Sequence, residues 1–277
     1  LWRVSAMFLK RILLCLAATS LSCEPALAQA TASAATAEQT ASPASGADED
    51  PGLYKPQDKD ERGLWMEMDE AERNLKTSAT VIKDPQLNAY VRSVLCRIAT
   101  QQGCRNIRIY VVRTPYFNAS MAPNGVMQIW SGLLLRMQNE AQLAAVIGHE
   151  YTHFKNRHTL QLFRQARDKS NAAAWLSFVP FGFIASLGLV GSLFSFSREM
   201  EREADSGGLT LMANAGYDTR EAAIVWERLR DEMDATAVAR NTKSRKDKNG
   251  GFFATHPPSL ERVQNLKAAA LKEPGIP

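Results

Sequence analysis

Three of the four histidines in this chain fall within residues 146–158, "VIGHEYTHFKNRH". His149 and His153 are four apart, with Glu150 between them. On a helix, residues at that spacing are neighbours about 5–6 Å apart. Two imidazoles so placed can converge on one zinc ion at roughly 2.0–2.1 Å each. Glu150 then stands where it can take the proton from a zinc-bound water, which is the chemistry of the H-E-x-x-H pattern. A zinc enzyme needs a third ligand from elsewhere in the chain. Residues 197–208, "SREMEREADSGG", read as a second helix on which Glu201 and Asp205 share a face. Glu201 can offer a carboxylate oxygen to the metal, and Asp205 can hold a ligand histidine in orientation through its other ring nitrogen. Taken alone, this stretch is a solvated charged face. Paired with His149 and His153, it is a ligand helix.

The elements that must position these groups are readable upstream. Residues 63–77 form a helical pattern, and 84–100 form another, opened by Asp84 as cap with Pro85 in the first turn. "IRIYVV" (107–112) reads as a strand, and "VMQIW" (126–130) as a second, reached through Pro123-Asn124-Gly125. Asn139 caps the next helix with Gln142 as its reciprocal partner, and Leu143, Val146 and Ile147 carry that helix into the histidines. The class is α+β, mostly helical.

With 277 residues, 45% of them hydrophobic, the chain can bury a sizeable core in one domain plus appendages. The net charge of +4 is not gathered into a stripe. The densest basic run, 240–251, lacks interleaved aromatics and reads as a solvated loop, which argues against a nucleic-acid partner. Residues 1–28 carry a basic start, a short apolar run and Ala26-Leu27-Ala28, the parts of a secretory signal peptide. The rival reading is a lipoprotein cut before Cys23. Residues 29–52 are Ala, Ser, Thr and acidic residues with nothing to bury, a disordered tether, so the folded domain is expected over 53–277. Export to the periplasm leaves Cys96 and Cys104 as the only cysteines, able to close a small disulfide loop or to remain two thiols. The apolar stretch 172–197 is long enough to cross a bilayer. A single crossing would part His153 from Glu201, and two crossings need roughly twice its length. It is expected to pack as a hairpin over the domain or to dip into a membrane surface.

These motifs together resemble the gluzincin metallopeptidases, the group that includes HtpX, the CAAX prenyl endopeptidases and the mitochondrial Oma-type proteases. The resemblance runs over residues 84–265. It rests on the H-E-x-x-H helix, on Ser197, Arg198, Glu201, Ala204 and Asp205, on Arg157-His158, on Asn118-Ala119 followed by Pro123-Asn124-Gly125, and on His256-Pro257 with Arg262. It implies a zincin-like domain with a small sheet or hairpin edging the cleft, and one zinc held by His149, His153 and Glu201 with Glu150 as general base. It also implies His256 and Arg262 beside the developing oxyanion; from spacing alone His256 is equally a loop histidine. His158 reads as structural. Val126, Met127, Gln128, Ile129 and Trp130 become the edge strand to which an extended substrate adds by backbone pairing. The function implied is a zinc metalloendopeptidase of the periplasm acting on unfolded or misassembled envelope proteins. The alternative is a chaperone-like assembly factor whose zinc site stays latent.

Overall fold

A computed structural model describes residues 55–169, 196–244, 256 and 259–272. The expected signal peptide and tether lie outside the described residues, as does 172–195 of the apolar stretch. Among the described residues, no helix is long and apolar enough to cross a membrane.

Helix α1 (Lys59–Thr77) begins four residues before the expected pattern because Asp58 caps it, its carboxylate accepting from the Glu61 amide. Helix α2 (Pro85–Ile98) opens as expected, with Asp84 accepting from Leu87 and Pro85 in the first turn. Its last turn is tied by the Cys96–Cys104 disulfide to the residue that follows the short helix α3 (Thr100–Gly103).

Three strands follow: β1 (Arg108–Val112), β2 (Ala119–Met121) and β3 (Val126–Trp130). Gly125 makes the β2–β3 hairpin possible. It holds φ +85°, a left-handed conformation open to glycine, and its amide closes the turn onto Ala122. The strand order is β1-β3-β2, with β1 parallel and β2 antiparallel to β3. This corrects the sequence reading of Val126–Trp130 as the substrate edge. Alternation alone cannot show how many neighbours a strand has, and β3 is paired on both sides. Its run of four buried residues, Val126 to Ile129, is that of a central strand. The edge lying against the histidine helix is β2.

After β3 come α4 (Ser131–Leu134), α5 (Glu140–Lys155), α6 (His158–Lys169), α7 (Arg198–Asn214), α8 (Arg220–Ala239) and α9 (Leu260–Ala270). One core joins Val91 and Leu95 of α2, Met127 and Ile129 of β3, Leu143 and Ile147 of α5, and Met212, Leu229 and Leu266 of α7, α8 and α9. A smaller cluster seats Leu64, Met68 and Leu75 of α1 against Val126 and Leu160.

Candidate metal centre

Helix α5 is buried almost all round, from Gln142 to Phe154. Asn139 caps it by accepting from the Gln142 amide, and the Gln142 side chain accepts in return from Gln138, one residue before the cap. Helix α7, capped by Ser197, crosses α5 at glycines. A Cβ on Gly208 would lie 3.1 Å from the His149 amide nitrogen, and one on Gly207 only 2.5 Å from Thr152 Cγ2. No larger residue lets the two backbones approach so closely. That approach brings Glu201 to the histidines.

His149, His153, Glu201 and His256 are all buried, and each offers one ligand atom within 4.8 Å of the others. His149 Nε2 lies 3.1 Å from His153 Nε2 and 3.1 Å from His256 Nδ1. Glu201 Oε1 is 2.8 Å from His256 Nδ1 and 3.4 Å from His153 Nε2. On the far side of His149, Nδ1 is 2.9 Å from Asp205 Oδ1. With the proton on Nδ1, shared with the Asp205 carboxylate, the Nε2 lone pair is left toward the cluster; Arg262 Nη2 lies 3.0 Å from the same Nδ1. Arg262 holds this arrangement from behind. Its Nη2 donates to Asp205 Oδ1 at 2.6 Å, its guanidinium stacks 3.8 Å over the Trp226 ring, and its Nη1 comes within 3.3 Å of Glu201 Oε2.

Electrostatics follow from this packing. Burial pushes the Glu201 carboxyl up, but the neighbouring His256 and Arg262 outweigh it and hold the group well below the usual range. Burial also drives His153 well below the ordinary imidazole value, keeping it neutral as a ligand must be. Burial raises Glu150, against the pull of His256 and His149, which moves a carboxylate toward the range of a general base.

The donor set fits a divalent cation. Acceptor atoms face one another at its centre, and Glu201 Oε2 is fully buried without a hydrogen-bond partner despite its contact with Arg262. Such an arrangement is costly unless a positive charge sits among the acceptors.

The expected residues therefore come together with two differences of place. Arg262 was expected beside the oxyanion, and it instead braces Asp205, His149 and Glu201. His256 sits between the two functional carboxylates, Nδ1 toward Glu201 and Nε2 3.6 Å from Glu150. Two further groups carry no signal in the sequence. Trp226 lies on α8, where it reads as a core aromatic. Glu203 on α7 points away from the face shared by Glu201 and Asp205, and it meets His158 Nε2 at 3.0 Å.

A buried H-E-x-x-H helix crossed by a second helix offering glutamate is the layout of a metallopeptidase of the gluzincin type. Residues 85–270 match peptidase family M48. The chain belongs to that family. It is 33% identical over 190 residues to the mitochondrial metalloendopeptidase OMA1 of Schizosaccharomyces pombe, covering 64% of this chain and 51% of that protein. It is 27% identical over 219 residues to the putative beta-barrel assembly-enhancing protease of Vibrio cholerae, covering 74% and 43%. The corresponding protease of Escherichia coli matches at 28% over 184 residues, covering 58% and 36%. This chain thus spans about half or less of the length of these relatives.

Proposed function

We propose that this protein is a zinc-dependent endopeptidase of the bacterial envelope, exported by residues 1–28 and acting on unfolded or misassembled proteins. The observation that carries the reading is the convergence of His149, His153 and Glu201 acceptors beside the buried Glu150. The names of relatives, which include a beta-barrel assembly-enhancing protease, support the envelope as the setting.

In this reading His149, His153 and Glu201 hold the zinc, which when bound supplies a Lewis acid for the scissile carbonyl and acidifies water. Glu150 accepts the proton of the attacking water and passes it to the leaving amine. Asp205 and Arg262 keep His149 oriented, so the ligand geometry is set before substrate arrives. The substrate strand is carried by β2. Trp130 donates to Asn118 and Ala122 to Val126, so by antiparallel alternation the backbone groups of Ala119 and Met121 face away from β3, and among the described residues no further strand pairs with them. Backbone pairing tolerates many side chains, which suits unfolded substrates.

The test is Glu150→Gln on an unfolded protein substrate. Cleavage falls by about 10²–10⁴-fold while zinc content persists; cleavage at the wild-type rate with zinc intact contradicts the reading.

A second reading, a latent site, is favoured by His256. Its ring lies between Glu150 and Glu201, in the space an attacking water and a carbonyl would use. Phe196, at the end of the apolar stretch, packs its ring 4.0 Å from that of His153 and 5.2 Å from that of His256. His256→Ala separates the readings. A faster enzyme means that His256 covers the site, and a loss of about 10²–10³-fold means that it serves the oxyanion.

A further inference from the structure

His158 has so far been a buried histidine with no task. It is 1% exposed, and it opens α6 immediately after α5 ends. Its Nδ1 lies 2.9 Å from His153 Nδ1, and its Nε2 lies 3.0 Å from Glu203 Oε2. The proton positions in this row are determined by its far end. A carboxylate only accepts, so His158 Nε2 carries the proton given to Glu203. A neutral imidazole with its proton on Nε2 has a lone pair on Nδ1. The proton between the two Nδ1 atoms therefore belongs to His153, whose Nε2 is left bare and faces the metal cluster.

We propose that His158 is a positioning residue for the metal. It fixes His153 in the tautomer that can ligate, and Glu203 fixes His158 in turn. This rests on the metal reading above. Helix α7 then supplies three carboxylates to one purpose: Glu201 to the ion, Asp205 directly behind His149, and Glu203 behind His153 through an intervening imidazole. The intervening ring is needed because Glu203 is at the half-exposed rim of α7, out of reach of His153. Ligand histidines held by a carboxylate or another acceptor bind metal more tightly, because ring orientation and tautomer are already set.

The test measures the zinc dissociation constant of the full chain by competition with a chelator, for wild type, His158→Leu, His158→Asn and His153→Ala. Asn carries an acceptor oxygen near the place of the histidine Nδ1, whereas Leu fills similar space with none. His158→Leu is expected to weaken zinc binding about 10–100-fold, and His158→Asn to stay close to wild type. Equal weakening of both variants would mark His158 as a packing residue and overturn the proposal, as would wild-type binding in His158→Leu. Nitrogen-15 spectra of the four imidazoles in the metal-free protein give a readout independent of zinc. Protons on His153 Nδ1 and His158 Nε2 are expected, and a proton on His153 Nε2 overturns the relay. Undiminished zinc binding in His153→Ala instead strikes the metal reading itself.

Discussion

Two buried glutamates in this protein have opposite surroundings. Glu72 of α1 is met by donors on both oxygens: Arg108 Nε at 2.6 Å and Tyr110 Oη at 2.6 Å on Oε1, and Arg108 Nη2 at 2.8 Å on Oε2. Glu201 of α7 shares its space with the ring nitrogens of His149, His153 and His256, and one of its oxygens has no hydrogen-bond partner. The first cluster is complete as it stands and fastens α1 to the sheet. The second has the donor set that a cation would complete. Counting donors against acceptors, rather than counting charges, is what separates a strut from a site.

The contrast can be broken at the strut first, where the largest effect on stability is expected. Burial opposes the Glu72 charge, but Arg108 and Tyr110 outweigh it and bring the carboxyl down to about 2. Because the folded value is depressed, this stabilisation is present above the unfolded value near 4.5 and is lost as pH falls toward about 2. Glu72→Gln should lower unfolding free energy at neutral pH by about 2–3 kcal/mol and flatten the acid limb of a stability–pH profile. It should leave zinc binding unchanged. A matching loss of zinc would mean that the two clusters are one system.

A somewhat smaller effect is expected at the helix crossing. Gly207→Ala places a Cβ against Thr152 and should cost about 1–2 kcal/mol, with zinc affinity falling as α7 is pushed from α5. Chelator competition beside denaturant unfolding checks both. Stability lost without any change in affinity would show that the crossing distance does not set the ligand geometry.

The smallest effect belongs to Lys76, which is 3.2 Å from Glu72 but half exposed. Lys76→Met should change stability by about 0.5 kcal/mol or less. A larger loss would show that solvent screens this strut less than its exposure implies.

What the sequence disclosed divides along the same line. The ligand helix was legible because i, i+4 spacing fixes geometry within one element: His149 with His153, and Glu201 with Asp205. The caps Asp84 and Asn139 were legible for the same reason, whereas Cys96 and Cys104 were left as a disulfide or two thiols, and the structure pairs them. Relations between elements were not legible. Nothing local in Val126–Trp130 told whether it had one neighbour or two, because its parallel partner β1 comes from a separate stretch that packs on α2. Arg262 was expected near the oxyanion because the resemblance placed it at the site without a direction. Its partners Asp205 and Trp226 lie on other helices. Glu203 and the role of His158 depend on a chance-looking contact between α6 and α7 that no spacing encodes. The family match begins at residue 85, so the Glu72 strut on α1 lies outside it and had only its own sequence to announce it.

The central claim is that acceptors on α5 and α7 form a cation site, and metal analysis of the purified full chain after zinc loading tests it most directly. One zinc per chain is expected in the wild type and in Glu72→Gln, and far less in Glu201→Gln. A wild type that takes up no zinc, or a Glu201→Gln variant that keeps its full equivalent, would contradict the account.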